Sequence, residues 1–98
     1  MRVATIGATL LLFGSSAADA ESGKASYYRG IGKGGEMTCA HRTRPFGSMI
    51  TVSYRSQTIQ CRVNDRGPFI RGRIIDISTS AARALGIIEA GVVVVLIQ

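Results

Sequence analysis

The chain has 98 residues, of which 46% are hydrophobic and 18% are charged, so it is long enough for one small domain with its own apolar core. Twelve Lys and Arg against six Asp and Glu give a net charge of +6, and such a basic surface attracts polyanions. The single histidine cannot build an ordinary zinc site. We therefore expect no bound metal and no cofactor.

The first twenty residues have the features of a secretory signal peptide. Arg2 is positive, residues 3–13 are almost wholly apolar, and residues 18–20 offer the small side chains of a cleavage site. The apolar run is shorter than the roughly 20 residues that span a bilayer, and no cysteine follows it directly, as one would in a lipoprotein. We expect cleavage after Ala20 and a domain of residues 21–98 that is periplasmic or secreted, with no lipid and no permanent membrane anchor.

The expected export of the domain bears on two questions, which polyanion it binds and whether its two cysteines form a disulfide. It makes nucleic acid the least expected polyanion, and removing residues 1–20 leaves the charge at +6 because Arg2 and Asp19 leave together. Cys39 and Cys61 allow one intramolecular disulfide, which is the usual state in an oxidising compartment. A catalytic cysteine is the alternative, because Cys39 lies two residues before His41, but oxidation would remove that nucleophile.

The first half of the domain contains three candidate strands. Residues 25–28 have the composition of an edge strand after a frayed start at 21–24, and a glycine-rich loop follows at 30–35. Hydrophobic and polar residues then alternate through residues 49–54 and again through 59–64. A turn at residues 55–57 would join these two runs, which predicts a hairpin.

The second half alternates turns with short elements. Residues 64–69 are dense in turn-forming residues, and residues 74–77 indicate a short buried strand interrupted by a carboxylate. Ser78 is placed to cap a helix over residues 79–85 that would end at Gly86. The β-branched run at residues 92–97 predicts a buried closing strand. Several short strands and one helix favour a small closed barrel over a sandwich or a doubly wound sheet.

Four sequence strings resemble the RlpA (rare lipoprotein A) family. They are A-S-Y-Y at residues 25–28, A-H-R-T-R-P-F-G at 40–47, V-N-D-R-G-P-F at 63–69 and R-I-I-D-I-S at 73–78, in the family's order and across nearly all of the domain. The resemblance implies an all-β fold, the six-stranded double-psi β-barrel with one short helix that expansins and barwin-like proteins share. It also implies peptidoglycan as the partner.

For its best-known members the resemblance implies a lytic transglycosylase reaction. The bond after N-acetylmuramic acid is cleaved without water, because the sugar's own 6-hydroxyl attacks the anomeric carbon and leaves a 1,6-anhydro end. One well-placed carboxyl group is enough for this reaction if it protonates the leaving oxygen after deprotonating the attacking hydroxyl. Burial or a neighbouring anion favours the protonated form of such a group.

Asp65 and Asp76 are the candidate acid and base, and His41 is the candidate assistant that orients a carboxylate or the sugar. Asp76 stands between two isoleucines and is the better candidate for desolvation. The structural alternatives are an Asp65 that caps backbone amides and an Asp76 in a buried salt bridge to Arg66 or Arg73.

Four further residues are candidates for binding substrate. Arginines suit the lactyl carboxylate of muramic acid or peptide carboxylates. Fuller family members carry a functional glutamate in a longer T-A-x-G-E segment upstream of the histidine; here that segment is shortened, and Glu36 lies only five residues before His41. The four candidates are Tyr28, Arg66, Arg73 and Glu36.

Three functions are thus in competition. The first is an endolytic peptidoglycan lytic transglycosylase acting as a monomer. The second is a non-catalytic, expansin-like module that binds cell-wall glycan. A polyanion-binding or inhibitor-like secreted protein is the third, and it rests on charge alone.

Overall fold

A computed structural model of the chain describes residues 20–28 and 35–98. The expected signal peptide, apart from Ala20, and most of the glycine-rich loop lie outside the described residues. The elements in chain order are β1 Glu21–Tyr28, β2 Thr38–Ala40, β3 Met49–Tyr54, β4 Gln57–Asp65, β5 Arg73–Ser78, α1 Thr79–Leu85 and β6 Val93–Ile97.

The six strands close into a barrel in the order β1-β5-β2-β4-β3-β6. The β1–β5 and β2–β4 pairs are parallel, and the other neighbours are antiparallel. This mixed barrel with one short helix confirms the fold class expected from the sequence.

Hydrophobic side chains on the inward side of the strands fill the barrel. In β3, β4 and β6 the buried residues lie at alternate positions, as a pleated strand with a single inward face requires, whereas β1, β2 and β5 also have buried residues next to each other in sequence. The fully buried side chains include Ile50, Val52, Val63, Ile75, Ile77 and Ile97.

The predicted helix and both of its caps are confirmed. Ser78 accepts a hydrogen bond from the backbone N–H of Ala81, and Gly86 takes a left-handed conformation with φ 83° while donating to Ala82 O. Leu85 and the alanines at 81 and 82 are buried against the barrel. Within the described residues, no helix has the length and apolar character needed to cross a membrane.

The start of β1 differs from the expectation of a frayed segment. Residues Glu21 to Ala25 pair with β6 from Ile97 back to Val93, so the backbone bonds of β6 order a polar segment that has little strand propensity itself. Gly23 also has a packing role, because a Cβ atom there would come within 2.7 Å of Cγ2 of Ile74. Residues 21–24 are therefore the first half of a strand.

Strand β6 was expected to be buried, and only alternate residues are. Val95 and Ile97 are buried, whereas Val94 is 62% exposed and Leu96 is 44% exposed. The reason is geometric: a barrel strand has one inward face, and within residues 20–28 and 35–98 no second layer covers the outer side of β6. The hairpin is confirmed, with a turn shortened to residues 55–56 because Tyr54 pairs with Gln57.

The predicted disulfide between Cys39 and Cys61 is present. Their Cα atoms are 5.7 Å apart, and neither residue is exposed to solvent. The bond lies in the core and ties β2 to β4. It therefore fixes the shortest strand of the barrel, which has three residues.

Removing this disulfide should lower stability without changing the fold. We expect the double variant Cys39→Ala/Cys61→Ala to lose roughly 3 kcal/mol of unfolding free energy, because the bond restricts the unfolded chain. Urea denaturation followed by circular dichroism measures the difference. An unfolding free energy equal to that of the oxidised wild type would contradict the prediction.

Candidate functional site

Both candidate aspartates lie in one row on the outer side of the barrel. Ala40 of β2 pairs with Asp76 of β5 on one side and with Asp65 of β4 on the other, and Ser26 of β1 pairs with Asp76. We call the outer side of β1, β5, β2 and β4 the aspartate face. Because neighbouring strands are about 4.8 Å apart, the Cα atoms of the two aspartates are separated by about 9.5 Å.

A bulge in β4 brings Asp65 onto this face. Cys39 pairs with Val63, but the next residue, Ala40, pairs with Asp65, so Asn64 is the extra residue. Without it, strict alternation would place Asp65 on the same side as the buried Val63. Bulges re-aim side chains in this way and are common beside active sites.

A second bulge, in β5, turns Arg73 outward as well. Lys24 pairs with Arg73, and Ala25 pairs with Ile75, so Ile74 is the extra residue. Ile75 is fully buried, and the next side chain along β5, Asp76, therefore points outward. Arg73 and Asp76 thus share the aspartate face.

Asp76 is half-buried and is oriented by a serine. The hydroxyl of Ser26 donates to Oδ1 of Asp76, and Nη1 of Arg73 lies 3.4 Å from Ser26 Oγ. Arg73 therefore reaches the carboxylate through Ser26, in place of the direct salt bridge considered as an alternative. This chain of contacts holds the Asp76 carboxylate in one orientation.

Asp65 is exposed, and its backbone is firmly held. Its Oδ1 accepts the backbone N–H of Arg66 at 2.8 Å, so the amide-capping interpretation is correct for one oxygen. The backbone N–H of His41 donates to Asp65 O at 3.1 Å. The carboxylate is consequently accessible, with one oxygen bound to the Arg66 amide and with its backbone carbonyl held by His41.

His41 lies one residue beyond Ala40 and is buried, with 4% of its surface exposed. Its Nδ1 accepts the backbone N–H groups of Thr43 and Arg44, each at 3.1 Å. A nitrogen that accepts two hydrogen bonds carries no proton, so the network assigns the ring proton to Nε2, which lies 2.9 Å from Oε1 of Glu21. Both ring nitrogens therefore bind other groups of the protein.

Arg66 braces the loop that His41 begins. Its Nη1 donates to His41 O at 3.1 Å and to Arg44 O at 2.6 Å, and its guanidinium carbon lies 4.1 Å from the centre of the Phe46 ring. A planar, charged group suits this combination of donation and stacking. The structure thus gives Arg66 a loop-holding role beside its expected role in binding.

Tyr28 and Glu36 lie farther from the aspartates. The Tyr28 hydroxyl is 2.6 Å from Thr38 Oγ1, in the next row of the aspartate face. Glu36 forms a two-pronged pair with Arg62, with both donor–acceptor distances 2.8 Å. Glu36 precedes β2, whereas Ala40 ends it, so the structure separates Glu36 from Asp65 and Asp76.

Two residues that contact the candidate site were not identified from the sequence. Ser26 lies in the A-S-Y-Y string, two residues before Tyr28. In a strand this spacing places both side chains on one face, and it could have identified Ser26 as a neighbour of the site. Glu21 was assigned to a frayed start, and its contact with His41 spans twenty residues. Among residues 20–28 and 35–98, no three His, Cys, Asp or Glu side chains are arranged to hold a metal ion.

Comparison with known proteins decides the family. The family described as lytic transglycolase matches residues 20–97. The chain belongs to this family. A protein of a Nostoc species named probable endolytic peptidoglycan transglycosylase RlpA is 52% identical over 64 residues, which cover 63% of this chain and 17% of the relative.

The RlpA of Vibrio cholerae, named endolytic peptidoglycan transglycosylase, is 42% identical over 91 residues, covering 80% of this chain and 35% of that protein. The chain thus spans between about a sixth and a third of the length of these two relatives. The expansin of Clavibacter michiganensis superposes with a TM-score of 0.68 at 22% identity, over 81% of this chain and 49% of that one. This last likeness shows the double-psi barrel fold alone.

Loss of the Arg66 guanidinium should loosen the loop of residues 41–46. We expect Arg66→Ala to lower the unfolding free energy by about 1–3 kcal/mol, because two carbonyl groups lose a charged donor. Arg71→Ala removes an exposed arginine five residues away and is the matched control. Thermal unfolding and hydrogen exchange at the Thr43 and Arg44 amides measure the effect, and equal results for the two variants would rule out the bracing role.

Proposed function

We propose that the chain is an exported peptidoglycan lytic transglycosylase that cleaves glycan strands after N-acetylmuramic acid and leaves 1,6-anhydro ends. The observation that carries the proposal is the placement of two carboxylates, Asp65 and Asp76, in one row of an outer barrel face, on strands separated only by β2. The names of the Nostoc and Vibrio cholerae relatives support the same reaction.

The reaction needs one proton donor and one proton acceptor, and no water. The 6-hydroxyl oxygen of the muramic acid bonds to its own anomeric carbon as the bond from that carbon to the leaving oxygen breaks. One carboxylate accepts the hydroxyl proton, and the other carboxyl group gives its proton to the leaving oxygen. Two carboxyl groups therefore suffice for the complete proton balance.

The spacing of the two aspartates is suited to a sugar ring between them. Glycosidase carboxyl groups are about 5–5.5 Å apart when one attacks the sugar directly and about 6.5–9.5 Å apart when a further group must fit between them. The two aspartates rise from the same face on strands whose Cα atoms are about 9.5 Å apart, and this spacing leaves room for the wider carboxyl arrangement. Ala40, between the two strands, adds only a methyl group at this point.

The charged residues around the two aspartates favour the binding of an anionic glycan. Lys24 pairs with Arg73 at the edge of the aspartate face, and Arg66 follows Asp65 directly. The whole chain has a net charge of +6. Positive charge on this side favours the lactyl and peptide carboxylates that distinguish peptidoglycan from neutral glycans.

The alternative is a non-catalytic module that binds cell-wall glycan. The Clavibacter michiganensis expansin has the same fold, and a structure of that protein holds cellohexaose. The same face would bind the glycan in this case, and neither aspartate would transfer a proton.

Digestion of purified sacculi separates the two functions. We expect the domain of residues 21–98 to release 1,6-anhydromuropeptides, detected by mass spectrometry. Binding to sacculi without any such product at high protein concentration would leave only the binding module.

Replacing either aspartate should remove activity and preserve the fold. We expect Asp65→Asn and Asp76→Asn each to lower product release by about 10²–10⁴-fold, because each removes one proton-transfer group. Glu89→Gln, a change at an exposed carboxylate on the turn after α1, should leave the rate unchanged. Melting temperatures close to that of the wild type would show that the aspartate variants are folded. Full activity in both aspartate variants would refute the assignment.

A further inference from the structure

Glu21 begins β1 and lies at one end of the barrel. Alternation with Gly23 and the fully buried Ala25 places its side chain on the inward side, where Oε1 is 2.9 Å from Nε2 of His41. The same oxygen is 3.7 Å from a guanidinium nitrogen of Arg44. Strand β5 begins opposite Lys24, so Glu21 lies beyond its start and its carboxylate reaches the loop after β2 directly.

The Glu21 carboxylate selects the form of His41 that holds this loop. Nδ1 of the ring can accept the N–H groups of Thr43 and Arg44 only if the ring proton is on Nε2. His41 is 4% exposed, and a buried donor without an acceptor is unfavourable. Glu21 supplies the acceptor, so its carboxylate favours the tautomer on which the loop depends.

The ordered loop in turn fixes Asp65. The backbone N–H of His41 donates to Asp65 O, and Arg66, whose N–H donates to the Asp65 carboxylate, binds His41 O. A displaced imidazole would therefore shift the backbone that carries this carboxylate.

We propose that Glu21 is a positioning residue for the aspartate face, acting through His41. Strand β1 then orients both carboxylates: Ser26 holds Asp76 directly, and Glu21 holds Asp65 through the histidine and its loop. The effect on catalysis rests on the proposed function, whereas the effect on His41 and Asp65 does not.

Because the chain has one histidine, ¹⁵N-histidine labelling gives the ring signals of His41 alone. In the domain of residues 21–98 preceded by one additional residue, we expect a protonated Nε2 and an accepting Nδ1. Glu21→Gln should keep this pattern and most of the activity, since the amide oxygen still accepts. Glu21→Ala should mix the two tautomers, shift the Arg66 amide resonance and lower product release by about 10- to 100-fold, as expected for a misplaced catalytic group.

Glu89→Ala removes an exposed carboxylate outside the site and is the control; it should alter neither the His41 signals nor the rate. The proposal is overturned if Glu21→Ala keeps the wild-type His41 and Arg66 resonances, or if those resonances change and activity does not. Rescue in Glu21→Gln separates positioning from general instability. If the wild type itself releases no product, the proposed function fails, and the ring and amide resonances still decide whether Glu21 positions His41 and Asp65.

Discussion

The register of β2 is the constraint on which the rest of the structure depends. This strand has three residues, and its last one, Ala40, pairs with both Asp65 and Asp76. A slip of one residue would turn every side chain of the strand to the other face and break this alignment. The disulfide from Cys39 to Cys61 opposes such a slip, because it anchors β2 to β4 one residue before the row that holds the two aspartates.

The inward side chains of the barrel provide its stability, and the outward side chains provide the candidate chemistry. Two bulges determine which side chains near the aspartates face outward. Inward residues such as Val63 and Ile75 form the core, and the outward row holds the carboxylates. Asn64 and Ile74, the extra residues, interrupt the ladder just before Asp65 and just after Arg73. Each bulge gives up regular pairing, and the surrounding closed barrel supplies the rigidity that keeps the re-aimed side chains in place.

The sequence predicted local structure well and long-range pairing poorly. Alternation within residues 49–63 and the caps of α1 are local signals, so the hairpin and the helix could be identified, and the family strings pointed to Asp65 and Asp76. The bulges could not be identified, because an extra residue is defined only against its partner strand. The partner of His41 was missed for the same reason: Glu21 is brought to it by the β1–β6 pairing, and its own neighbours in sequence are polar.

The position of Glu36 bears on which residues of this chain could transfer protons. The family resemblance implies a functional glutamate in a longer upstream segment, whereas here Glu36 is paired with Arg62 beyond the opposite end of β2. His41 does not replace it, because both of its ring nitrogens bind groups of the protein. Under the proposed function, Asp65 and Asp76 are therefore the carboxyl groups assigned to the acid and base roles.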